Sequence, residues 1–125
     1  MMVREDCLYT ESHEWVKVDG EIVTIGITDY AQQELGDIVF VELPAVGDDV
    51  TAGEPFGSVE AVKAVEDINS PVSGEVVEAN EILEDAPETI NKSALEEGWI
   101  IKVKLSDTAE LDKLLTADAY KKLIG

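Results

Sequence analysis

Short runs of β-type residues, each cut off by a glycine, a proline or an acidic turn, fill the first hundred positions of this 125-residue chain. Glu14-Trp15-Val16-Lys17-Val18 alternates in polarity, Asp19-Gly20 makes a turn of the kind that closes hairpins, and residues 21–27 follow as a second strand. Thr28 or Asp29 caps a short helix that Gly36 ends. Residues 37–43 read as a strand stopped by Pro44, and residues 46–54 as turn-rich. Val59-Glu60-Ala61-Val62-Lys63-Ala64-Val65-Glu66 is a near mirror, two short apolar strands meeting at a turn. Strands over 75–79 and 98–105 flank a polar, acidic loop over 80–91 that has some helical turn. In the tail the period changes: Leu111, Leu114 and Leu115, then Tyr120, Leu123 and Ile124, recur at helical spacing.

So many short strands predict a mainly β fold, a two-sheet sandwich or barrel-sandwich hybrid, with a short helix near 28–35 and a C-terminal helix packed outside. One domain over 1–125 is expected, its core about 8–105 and its helical tail about 107–125. Gly20-Glu21-Ile22-Val23 resembles Gly74-Glu75-Val76-Val77, which hints at two sheets built from related halves. Trp15, Phe40 and Trp99 are expected as core or sheet-packing aromatics, and Gly26, Gly57 and Gly74 as bends or close backbone approaches.

The formal net charge of −19 works against binding nucleic acid or an anionic membrane and favours partners with basic docking surfaces. No apolar run approaches the ~20 residues of a membrane span, and the N-terminus has neither a secretory pattern nor the basic character of a transit peptide. A cytoplasmic protein is expected, or a mitochondrial one if a presequence was removed. Cys7 stands alone near a terminus expected to be mobile, so no disulfide framework exists. His13 is the one histidine, which disfavours a histidine-rich metal site or a Ser-His-Asp triad; no metal and no catalytic residue is expected.

Against this background Lys63 stands out. From Val18 to Asn91 it is the sole lysine or arginine, set among eighteen carboxylates. A hairpin tip holds the backbone by strand pairing while the side chain projects outward, where a partner's active site can take it. The flanking Glu60 and Glu66 favour the charged amine. A Schiff-base lysine needs the reverse, an apolar or cationic pocket. Lys63 is therefore suited to being acylated and serving as a tether, and not to catalysis.

Val59-Glu60-Ala61-Val62-Lys63-Ala64, followed by Ile68-Asn69-Ser70-Pro71-Val72-Ser73-Gly74-Glu75-Val76, resembles the lipoyl-lysine motif of the glycine cleavage system H-protein family. His13-Glu14-Trp15-Val16, Gly26-Ile27-Thr28-Asp29-Tyr30-Ala31-Gln32, residues 35–44 and Gly98-Trp99-Ile100 resemble further blocks of that family, in the same order. The resemblance implies a carrier and not an enzyme. It implies lipoic acid in amide linkage to Lys63, loaded with an aminomethyl group by glycine decarboxylase (the P protein), unloaded by aminomethyltransferase (the T protein) and reoxidised by dihydrolipoyl dehydrogenase (the L protein). A lipoyl-attaching enzyme is a further implied partner, and a monomer is expected. Glu60, Ala61, Val62, Ala64, Glu66 and Asp67 are the hairpin residues such enzymes would read. Glu14 is a candidate for the cleft in which the family parks its arm. The sequence departs from the family at Ala61, where serine is usual, at Val65-Glu66-Asp67-Ile68, at residues 91–97, and at Glu34, where some members carry histidine. Two alternatives stay open: an H-like protein relaying lipoyl groups in lipoate metabolism, and an unmodified acidic interaction module. A biotin carrier is disfavoured because Val62 and Ala64, not methionines, flank the lysine.

Overall fold

The alternating segments pair into two antiparallel sheets in a computed structural model that describes residues 2–125. Strands β1 (Leu8–Tyr9), β2 (Glu14–Asp19), β3 (Ile22–Ile27), β4 (Ile38–Glu42), β5 (Asp49–Val50), β6 (Pro55–Ala61), β7 (Val65–Asn69), β8 (Gly74–Ala79) and β9 (Ile101–Leu105) follow in chain order. One sheet has the order β1-β2-β3-β9-β8-β5 and the other β4-β6-β7. Helix α1 (Asp29–Leu35) joins β3 to β4, α2 (Ile82–Asp85) and α3 (Thr89–Ser93) lie between β8 and β9, and α4 (Ala117–Ile124) ends the chain. The expected mainly β, two-sheet architecture with a helix near 28–35 and a C-terminal helix is thus observed. No helix of the described residues is long and apolar enough to cross a membrane.

The core lies between the sheets. Val16, Val23, Ile25, Val76, Ile101 and Val103 of the larger sheet meet Val41, Val59 and Ile68 of the smaller one, all 2% exposed or less. Three glycines mark where backbones come close: a Cβ on Gly57 would collide with the Glu42 carbonyl oxygen, one on Gly74 with that of Lys104, and one on Gly26 would lie 2.6 Å from the Trp15 ring. Thr28 is the cap of α1, its hydroxyl accepting from Ala31 N, and Gly36 ends that helix at φ 78°.

Several expectations are corrected. The two Gly-Glu-Ile/Val-Val segments do not seed separate sheets; they flank β9 in one sheet, Val23 and Val76 both opposite Val103. The turn-rich stretch contains β5, paired with β8. The acidic loop contains α2 and α3, which bury Leu83 and Ile90 completely. The tail is not one helix: a 3-10 turn over Thr108–Lys113 precedes Leu115, which bridges to Tyr9, and α4 starts only after Thr116 caps it. Cys7 is not on a loose end. It is 3% exposed in a second cluster with Tyr9, Trp15, Leu95, Ala117 and Tyr120, and burial pushes its thiol up to about 11. Phe40 is no core residue; it is 51% exposed, whereas Trp15 is buried and Trp99 lies half-buried beneath the Lys102 ammonium.

Candidate functional site

The β6–β7 hairpin ends where Ala61 N donates to Ala64 O at 2.8 Å, with Glu60 opposite Val65 as the last strand pair. Val62 N donates to Asp37 O at 3.1 Å, tying the tip to the segment that leaves α1. Lys63 is exposed at this tip, and no carboxylate of the described residues lies within ion-pairing distance of its amine. Its aliphatic stem passes over Gly36, where a Cβ would stand 3.6 Å from Lys63 Cε. Asn91 holds that platform, donating to Gly36 O and Gln32 Oε1 and accepting from Ile38 N at 2.9 Å. Glu60, Val62, Ala64, Glu66 and Asp67 are exposed around the lysine. Ala61 is not among them: it is 7% exposed and packs into the core, so it shapes the hairpin from within.

Beside the hairpin lies a cleft of ≈ 370 Å³ whose walls join the two sheets and α1. Ile27, Leu35, Val59 and Ile68 supply apolar surface, and Glu14, Glu34, Glu66 and Asp67 supply carboxylates. Glu14 is 3% exposed and accepts from the hydroxyls of Thr10 and Ser12, both at 2.6 Å. Burial pushes its carboxyl above the ordinary value, and those hydroxyl hydrogen bonds hold it back in part. The structure thus brings Glu14, Ala64, Glu66 and Asp67 into one cleft, while Glu60 and Val62 lie outside its lining.

The sequence reading missed Ser12, Tyr30 and the role of His13. His13 takes a left-handed backbone, φ 72°, and its ring stacks on Tyr30 at 4.6 Å between centroids. Its Nδ1 lies 2.9 Å from the Tyr120 hydroxyl, which is 2.7 Å from Thr28 Oγ1, so α4 holds one wall of the cleft. Burial lowers the His13 value and the Glu34 charge raises it. The alternation Thr10-x-Ser12-x-Glu14 was a usable signal for the hydroxyl pair. The His13–Tyr120 contact spans 107 positions and left no local mark.

A cleft with apolar walls and a buried, hydroxyl-supported carboxylate can hold a flexible apolar arm that ends in a cation. Residues 7–125 match the family model described as Glycine cleavage H-protein. The chain is 60% identical over 125 residues to the glycine cleavage system H protein of Staphylococcus carnosus, covering 100% of this chain and 99% of that one. It is 58% identical over 125 residues to the H protein of Geobacillus kaustophilus, covering 100% and 98%. The crystal structure of a glycine cleavage system H protein from Mycobacterium marinum superposes with a TM-score of 0.91 at 40% identity, over 98% of this chain and 99% of that one. The chain belongs to the glycine cleavage H-protein family, whose members are lipoyl carriers of the glycine cleavage system and not enzymes.

Proposed function

We propose that the lipoyl group of this carrier is joined by an amide to Nζ of Lys63, and that residues 1–125 act as one monomeric carrier unit. In this reading the chain takes an aminomethyl group from glycine decarboxylase (P protein), presents it to aminomethyltransferase (T protein), and passes electrons to dihydrolipoyl dehydrogenase (L protein), in the cytoplasm. The observation that carries it is the exposed, unpaired Lys63 on a hairpin tip beside an acidic cleft. When attached, the lipoyl dithiolane supplies the sulfur that accepts the aminomethyl group and the two electrons passed on.

The residues present fit that group. The ≈ 370 Å³ cleft falls within the size range of small-molecule sites, ~300–1,000 Å³. Ile27, Leu35, Val59 and Ile68 offer an apolar bed that excludes water. Glu14 stands among hydroxyls as a carboxylate able to receive an ammonium, and Glu34, Glu66 and Asp67 add negative potential at the rim. Lys63 contributes tethering: a linked arm converts each visit to a partner into a local encounter at high effective concentration. The −19 net charge favours rapid encounter with basic docking surfaces.

Reconstitution with P protein tests this. The lipoylated chain should stimulate exchange of the glycine carboxyl carbon with bicarbonate, and the unmodified chain should not. Equal activity of the two forms would refute the tethered-arm reading.

A further inference from the structure

The Lys63 tip and the α1 wall of the cleft belong to different elements, so their spacing has to be held. Helix α1 gives the cleft Ala31, Glu34 and Leu35, and the hairpin gives it Ala64, Glu66 and Asp67. The two meet at the turn from α1 to β4, where Val62 N donates to Asp37 O at 3.1 Å and the Lys63 stem lies over Gly36. Asn91 of α3 braces that turn from outside. Its Nδ2 donates to Gly36 O at 2.9 Å and to Gln32 Oε1 at 3.0 Å, and its Oδ1 accepts from Ile38 N at 2.9 Å. Both amide hydrogens and the amide oxygen are thus engaged, and asparagine is the side chain of this length that offers two donors and an acceptor. The brace has a firm footing. Ile90 is 0% exposed, Ala94 O accepts from Trp15 Nε1 at 2.9 Å, and a Cβ on Gly98 would stand 2.9 Å from Ile90 Cα. Asn91 itself does not line the cleft, and its hydrogen bonds do not go to Lys63.

We propose that Asn91 is a positioning residue of the carrier: by clamping the turn on both sides of Asp37 it keeps the lysine tip in register with the α1 wall, and so sets how long the aminomethyl group survives on the arm. This rests on the tethered-arm reading and adds the residue that fixes the root of the arm. Gly36 O follows a helix and Ile38 N opens a strand, and water can satisfy such groups at a surface. Holding both with one side chain gains geometry instead: it fixes the Asp37 carbonyl between them, which accepts from the tip. An arm is rooted at one end, so a shift of the root displaces everything beyond it, and a displacement of about 1 Å is costly in a positioned reaction. An arm that leaves the cleft meets water. Water adds its oxygen to the methylene carbon, the C–S and C–N bonds break, and one thiol, one formaldehyde and one ammonium ion result, with no change of oxidation state.

The test has two readouts. In the unmodified chain, hydrogen exchange of the Val62 amide is followed by NMR. In the lipoylated chain, loaded by P protein and glycine and then freed of both, formaldehyde release is timed without T protein. N91D keeps the acceptor for Ile38 N and loses both donors. It should speed Val62 exchange and formaldehyde release by about fivefold or more, the factor for one lost hydrogen bond. Q32M removes one acceptor from Asn91 and should give a smaller change of the same sign in both. V103A opens a core cavity in the larger sheet, away from the turn, and serves as the control for lost stability. It should match wild type in both readouts. Folded N91D and Q32M that behave as wild type overturn the clamp and leave the tethered-arm reading standing. Faster release with unchanged Val62 exchange overturns it too, as does a V103A that speeds both readouts as N91D does. Wild type that carries lipoate and takes no aminomethyl group from P protein overturns the carrier reading as well.

Discussion

The β2–β3 and β6–β7 hairpins are made of similar apolar stock and serve opposite ends. The first lies inside the larger sheet, with β1 on one side and β9 on the other, and closes through Gly20 at φ 63°. Its Trp15, Val16, Val23 and Ile25 are buried. The second lies in the smaller sheet, where β7 is an edge, and it closes between Ala61 and Ala64 with no glycine. It buries Val59, Ala61 and Ile68 but turns Val62 and Val65 outward. A hairpin enclosed by neighbours spends its side chains on the core. A hairpin with a free edge can present one, provided charges blunt that edge, as the exposed Glu66 and Asp67 of β7 do.

The largest effect that sharpens this contrast is at the tip. K63R should abolish lipoyl loading completely, read as intact mass after expression with ample lipoate, and leave the unfolding midpoint unchanged. Any loading of that variant would place the tether elsewhere. Next come the glycines of the two hairpins. G57A drives a Cβ into the Glu42 carbonyl and should cost about 2–4 kcal/mol in urea unfolding. G20A meets open space and should cost only the left-handed backbone penalty, about 1–2 kcal/mol. Equal losses would erase the distinction between a packed strand and a solvated turn.

Smaller still is Y120F. It removes the hydroxyl shared by His13 and Thr28 and should cost about 1–2 kcal/mol. The His13 ring resonances should shift as well, a sign that α4 acts on the cleft wall and not only on the core. The smallest effect is in pH dependence. Burial raises the folded-state value of Glu14 above the ordinary 4.5, so its favourable contribution is complete below pH 4.5 and is lost as pH rises through the folded value. E14Q does not titrate there. Its thermal midpoint relative to wild type should therefore rise from pH 4.5 upward, and a constant difference between pH 4 and 7 would show that burial of Glu14 carries no such cost.

The two hairpins also show what could be read in advance. Both were visible, the first from alternation and Asp19-Gly20, the second from the mirrored run around Lys63. Thr28 and Gly36 announced α1 because capping chemistry is local. Phe40 was misjudged because Ile38-Val39-Phe40-Val41 is apolar at every position, so the pattern has no polar residue to mark the outer face, and the bulge that turns two neighbours outward is a property of pairing with β6. Cys7 was misjudged because burial near a terminus depends on Trp15, Leu95 and Tyr120 arriving from three distant segments.

The sequence by itself determined the number and order of most strands and the capped helix, since each follows from residue periodicity or local hydrogen bonding, and it singled out Lys63, the sole lysine or arginine of a long acidic stretch, as the candidate tether. The tertiary structure alone decided which side of β4 meets solvent, that Glu14, Glu66 and Asp67 share one cleft, and that the last helix grips His13. Those are matters of register and closure. They are set when strands far apart in the chain pair and bury a common core, and no short window of sequence contains both partners.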